Sequence, residues 1–529
     1  MIHRNDLMGT STMVRLVLRR DRVRFPVWVL GIVAAVAGSA GSVQNVYATA
    51  TERAQYAETI GNSAASIAMA GPAVGLESMG GLTVFETSST AMVATALMAI
   101  FLTVRHTRGE EEAGRAELLR SAEVGRLAAP AATIAYVSAA SLLVGLSVAV
   151  CFVALGLPAN GSWLFGVSIA ATGLAFAAVA VTAAQVTEHA RAAVGGSAAV
   201  LAVAFALRAI GDVSTPWLSW LSPIGWSQGT HPYAGDRWWP LLLSIAAAGV
   251  LLTVATVLVG RRDLGAGLVV PRLGAETASP RLASAWALTA RLQRTSFFSW
   301  TIGMLLGGMA LGSVTSDVEG LVDDRPDLRD AVAPDGGDIT AAYVATAMLI
   351  LALVAAGYTV SSVLRMRGEE TSGRLEALLA TGLARVRWAS GTIAFSLATT
   401  AVVLLAGGVG LGVASAVGVD DTGLIGDAVG GAAVYVPAAF VVAAVTVALV
   451  GWAPGAVGLA WAVVAGCFTV GYLGQVLAFP DWLRDLSPYT HVPQVGVETV
   501  DATALVTLTA LAAIGTLLGV DGLRRRDIG

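Results

Sequence analysis

The sequence contains no lysine, only two cysteines and few charged residues of any kind. All 32 basic residues are therefore arginines. A Walker A loop needs a lysine on the nucleotide phosphates, so the sequence excludes a nucleotide site of that kind. Cys151 and Cys467 both fall inside long apolar runs. We interpret them as packing residues, because neither a disulfide framework nor a Cys/His metal site is supported.

Charged residues make up 13% of the chain and hydrophobic residues 56%, with a mean hydropathy of +0.73. Soluble domains carry about 25% charged residues. The apolar runs are long enough to cross a bilayer, which takes roughly 20 residues each, and they lack the period-2 alternation of a membrane β-barrel. The sequence therefore predicts an all-α polytopic membrane protein. The N-terminal segment is basic and amphipathic and lacks a small-residue cleavage site, so no cleaved signal peptide is expected.

Twelve apolar segments are candidates for membrane-spanning helices. Their approximate ranges are 25–48, 87–104, 131–157, 163–186, 193–211, 239–260, 296–316, 341–364, 389–418, 429–450, 454–478 and 502–520. Of the 32 arginines, 26 lie before the first span, after the last span or in every second connecting segment. Because arginines accumulate on the cytoplasmic side of membranes, we expect a multi-pass protein of the plasma membrane with both termini in the cytoplasm.

The two halves of the chain repeat one another. RFPVWVLG (24–31) near the first span matches SFFSWTIG (296–303), which aligns Phe25 with Phe297. An arginine-bearing amphipathic stretch precedes each match, which predicts one amphipathic "elbow" helix per half. Each half contains an even number of spans, so both halves have the same orientation in the membrane. The pattern predicts two parallel-repeat six-span halves.

The ends of the halves are also alike, with GRRDLG at 260–265 and RRRDIG at 524–529. The predicted domains are a first six-span half, a cytoplasmic linker that carries the second elbow helix, and a second six-span half, at 1–260, 261–295 and 296–529. The linker is too short to hold a folded soluble domain. The outer segment 317–338 is strongly acidic, and we interpret it as a solvated loop because the EF-hand spacing is absent.

One charged phrase occurs twice, 259 positions apart, after the second span of each half. It reads RGEEEAGRAELL at 108–119 and RGEETSGRLEALL at 367–379. A glycine before two acids favours a helix that begins there, and the Glu–Arg spacing of four predicts the pairs Glu111–Arg115 and Glu370–Arg374 on one helix face. Each phrase is therefore predicted to form a short amphipathic helix at the cytoplasmic surface. It either retains topology only or, as two matched copies suggest, docks a soluble partner.

The phrase resembles the cytoplasmic coupling loop of type-2 ABC exporter permeases, which reads roughly E-x-x-G-T-x-E-x-L-L. The elbow helix and the six spans per half resemble the same family, and the fused twelve-span form is similar to actinobacterial exporters of polyketide antibiotics of the tetronasin type. Arg115 and Arg374 stand where the wider family has a small residue. The residues to which the resemblance assigns ATPase coupling are Glu110, Glu111, Gly114, Arg115, Glu117, Leu118, Leu119, Glu369, Glu370, Gly373, Arg374, Glu376, Leu378 and Leu379.

The resemblance implies a transport subunit that is not itself an enzyme and holds no cofactor. A separate ABC ATPase would bind ATP and Mg²⁺, either as two copies per chain or as one heterodimer. Its closure would push on the two loops and tilt the two bundles in the bilayer. Hydrophobic or amphiphilic small molecules, antibiotic or drug-like, would leave the cell. No nucleic-acid partner is expected.

Two other classes of function stay open. An ion-coupled secondary transporter with two parallel halves would need charged residues in mid-membrane, of which the sequence has almost none. A scaffold or a membrane enzyme acting on lipid would need a constellation such as Ser/His/Asp, and the five histidines are scattered. Arg208, near the outer end of the fifth span, is a weak candidate for substrate contact. A pair with Asp212, four residues later, is the simpler interpretation.

Overall fold

Every regular element in the described part of the chain is a helix, which confirms the predicted all-α class. The computed structural model describes residues 4–61, 63–120, 124–262, 284–316, 339–473, 479–497 and 502–526, together with short stretches between 263 and 283. The chain divides into two compact units, residues 1–274 and 275–529. The predicted acidic loop, 317–338, lies outside the described residues.

The first unit contains long apolar helices joined by short surface helices. In chain order its α-helices are α1 (Thr10–Arg20), α2 (Arg24–Val46), α3 (Ala50–Ile60), α4 (Ala64–Ala70), α5 (Met79–His106), α6 (Arg108–Glu112), α7 (Arg115–Arg120), α8 (Ala128–Ala154), α9 (Ala159–Val186), α10 (Ala190–Val213), α11 (Pro223–Gln228) and α12 (Leu241–Arg261). Its core lies between α2, α5, α8 and α9, where Val36, Ala96, Val144 and Phe165 are buried.

The second unit follows the same alternation of long and short helices. Its described α-helices are α13 (Ala285–Gly312), α14 (Ile339–Thr371), α15 (Arg374–Leu379), α16 (Arg385–Val419), α17 (Gly423–Trp452), α18 (Leu459–Leu473), α19 (Asp481–Arg484) and α20 (Ala502–Arg525). Its core lies between α14, α16 and α17, where Ala352, Val403 and Ala432 are buried.

Eleven helices among the described residues are long and apolar enough to cross a membrane. They are α2, α5 with its continuation α6, α8, α9, α10, α12, α13, α14, α16, α17 and α20. The predicted span at 454–478 contains α18, whose 15 described helical residues reach only about 22 Å at 1.5 Å per residue, and residues 474–478 lie outside the described part. The chain is thus a multi-pass membrane protein.

The two elbow segments differ in shape. In the first unit α1 is a separate helix, and the chain turns at 21–23 before α2 begins. In the second unit the elbow and the span form one continuous helix, α13. Aligning Phe25 with Phe297 places Pro26 opposite Phe298. A proline inside a helix clashes with the carbonyl four residues earlier, whereas in the first turn it is tolerated. Pro26 therefore separates α1 from α2.

Small residues let the long helices approach closely. A Cβ added to Gly145 of α8 would lie 2.0 Å from the Gly166 carbonyl oxygen of α9. In the second unit a Cβ on Gly308 of α13 would lie 2.2 Å from the Gly407 carbonyl oxygen of α16. No side chain fits at such distances. Glycine at these positions brings neighbouring backbones into direct contact, as is common in membrane helices.

Candidate functional site

Each charged phrase forms two helical pieces joined at a glycine. In the first unit α6 ends at Glu112 and α7 begins at Arg115, with Gly114 at φ 68° between them. In the second unit α14 runs on to Thr371 and α15 begins after Gly373, at φ 72°. The prediction of one helix through each phrase is therefore wrong, because a left-handed glycine ends a helix. We call α7 and α15 the loop helices.

The glycine turn also changes which glutamate each arginine meets. Arg115 donates from Nε to Glu110 Oε2 at 2.8 Å, and Arg374 donates from Nε to Glu369 Oε2 at 2.7 Å. These partners are five residues apart, so the predicted Glu111–Arg115 and Glu370–Arg374 pairs are wrong. The hydrogen bonds to the carboxylates raise the pKa of Arg115 and of Arg374 above the ordinary arginine value.

Glu110 is bound to the elbow helix as well. Arg20, the last residue of α1, donates from Nη1 to Glu110 Oε2 at 2.5 Å. The Glu110 side chain is only 10% exposed. Two charge-assisted hydrogen bonds therefore connect the elbow helix and the loop helix of the first unit through one carboxylate.

The Glu111 carboxylate lies between two buried arginines. Arg262, the residue after α12, donates from Nη1 to Glu111 Oε2 at 2.8 Å and from Nη2 to Oε1 at 2.5 Å. Arg108 donates from Nη1 to Glu111 Oε2 at 2.5 Å, and Arg262 Nε donates to Gln185 Oε1 at 2.7 Å. Buried charges need such partners. This cluster joins α6 to the end of α9 and to the end of α12.

Further contacts bind α6 to the turn between α9 and α10. Arg108 Nε donates to the Thr187 carbonyl at 2.8 Å, and the Ala190 backbone N–H donates to Glu112 Oε1 at 2.8 Å. Glu112 thus accepts from the first turn of α10, where a helix favours negative charge. The three consecutive acids Glu110, Glu111 and Glu112 therefore all bind other parts of the first unit.

The second unit repeats the link to its last helix with fewer bonds. Arg526, just after α20, donates from Nη2 to Glu370 Oε2 at 2.5 Å. Arg367 Nη1 lies 3.0 Å from the same oxygen. Arg385, at the start of α16, donates to the Arg526 carbonyl at 2.6 Å and to the Leu523 carbonyl at 3.3 Å. The end of α20 is therefore held both by the phrase and by α16.

Sequence reasoning did not identify Arg262 and Arg526 as site residues. Both belong to the matching ends GRRDLG and RRRDIG, which served only as evidence for the repeat. Their equivalent positions, together with their charge, are the signal that could have paired them with the two glutamates.

The remaining predicted residues lie on the loop helices. Glu117 and Glu376 are exposed to solvent. Leu378 and Leu379 are half-buried and pack against a core cluster that includes Trp388, which fits the predicted apolar edge. The side chains of Leu118 and Leu119 lie outside the described part of the structure.

A buried carboxylate lies behind the phrase in the first unit. Asp21 is fully buried, and His106 Nε2 lies 2.5 Å from its Oδ2. Arg105 Nε donates to Asp21 Oδ1 at 3.2 Å, and the Tyr136 hydroxyl donates to Oδ2 at 3.3 Å. These bonds fix the turn between the elbow and the first span against α5 and α8.

The aligned position in the second unit carries a neutral side chain, Gln293. The Ser362 hydroxyl donates to Gln293 Oε1 at 2.9 Å and lies 2.7 Å from Ser396 Oγ. Gln293 is also buried. The same place therefore holds an ionic network in one unit and an uncharged one in the other.

A cavity of about 90 Å³ opens beside the ion pairs of the first unit. Its lining residues include Val17 and Arg20 of α1, Glu110 of α6 and Ala129 of α8. In the second unit the cavity at the elbow and phrase is about 20 Å³, and Trp388 lines it. Arg126 and Arg385 each donate to a carbonyl near the end of the last helix of their unit, Val259 and Leu523. Matching these two arginines places Ala129 opposite Trp388, so the smaller side chain accounts for the larger cavity.

Arg208 is fully buried in α10. Its guanidinium donates to the Ile67 and Met69 carbonyls, at 3.2 and 3.3 Å, and to Ser89 Oγ at 3.3 Å. Nη1 lies 3.7 Å from Asp212 Oδ2, so the predicted pair is present. The arginine therefore satisfies carbonyls at the end of α4. A role in substrate contact stays a prediction.

Among the residues that the structure describes, no group of three or more His, Cys, Asp or Glu side chains is placed to hold a metal ion. His231 lies between α11 and α12, and burial lowers the pKa of its imidazole.

Two comparisons relate the chain to known proteins. A family model described as the C-terminal domain of the multidrug efflux system permease Rv1217c matches residues 282–524. The multidrug efflux system permease protein Rv1217c of Mycobacterium tuberculosis (strain ATCC 25618 / H37Rv) is 41% identical over 524 residues. The match covers 98% of this chain and 95% of that relative.

Proposed function

The chain belongs to the family of multidrug efflux system permeases, and we propose that it is the membrane subunit of an ATP-driven exporter. Family membership makes it a permease, a transport subunit and not an enzyme. The energy source is the proposed part. The sequence has no lysine for a Walker A loop, so ATP and Mg²⁺ would bind to a separate ABC ATPase subunit.

The observation that carries the proposal is the position of the loop helices. Each follows a left-handed glycine, presents an exposed glutamate, Glu117 or Glu376, and connects backwards to a buried ion pair. An exposed helix on a rigid base is suited to dock a soluble partner. Two such helices in one chain would dock two ATPase copies or one heterodimer.

The charged loops would then face the cytoplasm, with both chain termini on the same side. This orientation follows from the arginine distribution. The cargo would be hydrophobic or amphiphilic and drug-like. The resemblance to tetronasin-type exporters extends this proposal to polyketide antibiotics.

The test is purification of the tagged chain from its own membranes in mild detergent, with mass spectrometry of the bound proteins. We expect a stoichiometric protein with a Walker A loop. The double variant Glu117→Arg/Glu376→Arg should lose it while its membrane insertion is unchanged. Glu77→Arg, which reverses an exposed glutamate before α5, is the matched control and should keep the ATPase.

Equal recovery of the ATPase with the double variant would count against docking at the loop helices. A chain that stays alone in several detergents and in cross-linked membranes would favour the ion-coupled transporter instead.

A further inference from the structure

In both units, the glutamate that precedes the loop helix binds an arginine at the end of the last membrane helix. Glu111 binds Arg262, 151 residues away in sequence, and Glu370 binds Arg526, 156 residues away. Chance contacts between exposed side chains would not recur at equivalent places in two units. These four side chains are also poorly exposed, between 5% and 17%.

The contact in the first unit has a geometry that transmits force. Two nitrogens of Arg262 bind the two oxygens of Glu111, and the third binds Gln185. Such a fork fixes orientation as well as distance, and burial limits its screening by salt. Only Ala113 and Gly114 separate α6 from the loop helix α7. A displacement of α7 would therefore have only a short path to α12.

We propose that Arg262 and Arg526 are positioning residues that pass movement of the loop helices to the last membrane helix of each unit. The inference rests on the proposed ATPase docking and adds the path by which docking reaches the membrane. In the first unit the path ends on α12, and in the second on α20.

The two paths differ in stiffness. In the second unit Glu370 Oε1 and Arg526 Nε are buried without a hydrogen-bond partner among the described residues. Arg526 thus holds Glu370 through one bond, whereas Arg262 holds Glu111 through two. Loss of the Glu111–Arg262 contact should therefore impair export more than loss of the Glu370–Arg526 contact.

The experiment compares Arg262→Gln and Arg526→Gln with Arg261→Gln and Arg524→Gln in the full chain. The controls remove the same charge from exposed neighbours. Glu111 keeps Arg108 as a partner in Arg262→Gln, so this variant should insert and fold. Three quantities are measured: membrane abundance, ATPase co-purification, and export of ethidium from cells that lack the native gene.

With Arg262→Gln we expect normal abundance, normal ATPase recovery and roughly tenfold slower ethidium export, the change that corresponds to about 1.4 kcal/mol. Arg526→Gln should slow export less, and both controls should match the unaltered chain. Arg262→Lys keeps the charge without the fork and should restore part of the rate.

A second readout does not depend on the cargo. Trp238, in the segment before α12, is exposed, and Trp238→Cys provides a thiol for maleimide labelling after Cys151 and Cys467 are replaced. Labelling should change when ATP is added, and Arg262→Gln should abolish that change while the ATPase stays bound.

The inference is overturned if Arg262→Gln, at normal abundance, matches Arg261→Gln in export and in ATP-dependent labelling. It is also overturned if Trp238→Cys, in a chain that keeps Arg262 and binds the ATPase, shows no ATP-dependent change in labelling. Failure of the proposed function would look different, because no ATPase would then co-purify with the unaltered chain.

Discussion

In the first unit the glutamate before the loop helix lies between Arg108, which is fully buried, and Arg262, which is 8% exposed. Its counterpart in the second unit, Glu370, meets Arg367 and Arg526, whose side chains are 27% and 17% exposed. The arginines of this connection are thus more buried in the first unit than in the second, although Glu370 itself, at 5% exposed, is less exposed than Glu111, at 13%. Burial raises both the strength of a charged contact and the cost of breaking it.

The elbow turn shows the same contrast. The buried Asp21 forms an ionic network with His106 and the partly exposed Arg105 in the first unit, whereas Gln293 and Ser362 form a neutral network in the second. Two similar stretches of sequence in one chain thus make similar contacts with different degrees of charge and burial.

Neutralising Glu111 and Glu370 should give the largest difference in stability between the two units. Glu111→Gln is expected to lower the free energy of unfolding by about 3 kcal/mol, because two poorly exposed arginines lose their carboxylate. Glu370→Gln should cost about 1 kcal/mol, because water reaches its arginines. The measurement is unfolding of the purified chain in mild detergent, followed by tryptophan fluorescence. Glu117→Gln, at an exposed site, serves as the control, and equal losses at 111 and 370 would contradict the comparison.

The elbow network should give the next largest difference. Asp21→Ala is expected to cost about 2 kcal/mol, since Tyr136 and His106 lose a buried acceptor. Gln293→Ala should cost about 1 kcal/mol, because Ser362 keeps Ser396 as a partner. The same unfolding assay measures both. A larger loss for Gln293→Ala than for Asp21→Ala would show that the ionic network adds nothing to the first unit.

The outer ion pairs of the phrases should show the smallest effects and no difference between units. The side chains of Arg115 and Arg374 are 49% and 60% exposed. Either arginine replaced by alanine should change the unfolding free energy by no more than about 0.5 kcal/mol, as exposed pairs usually do. Raising the salt concentration should reduce even that difference. A loss above 2 kcal/mol for either variant would place these arginines inside the buried cluster.

Much of the architecture was predictable from apolar runs. The long helices from α2 to α20 follow from composition, because a backbone in lipid must satisfy its own hydrogen bonds and a helix does so locally. The short α18 shows the limit of this reasoning, since an apolar window at 454–478 does not determine how many of its residues are helical.

The partners within the phrases were less predictable. A spacing of four between Glu111 and Arg115 predicts a pair only if the helix continues. The left-handed turns at Gly114 and Gly373 end it, and each arginine then meets the glutamate five residues before it. Glycine permits such a turn but does not require it, so local sequence could not decide between the two pairings.

The sequence by itself determined that this protein is helical, crosses the membrane many times and carries two charged loops at equivalent places, because these properties depend on composition and on local order along the chain. Only the tertiary structure decided that Glu111 meets Arg262 and that Glu370 meets Arg526. Those partners lie more than 150 residues apart. They meet because the packing of several helices brings the end of the last membrane helix of each unit beside the charged loop. No local sequence pattern indicates that these two segments are close.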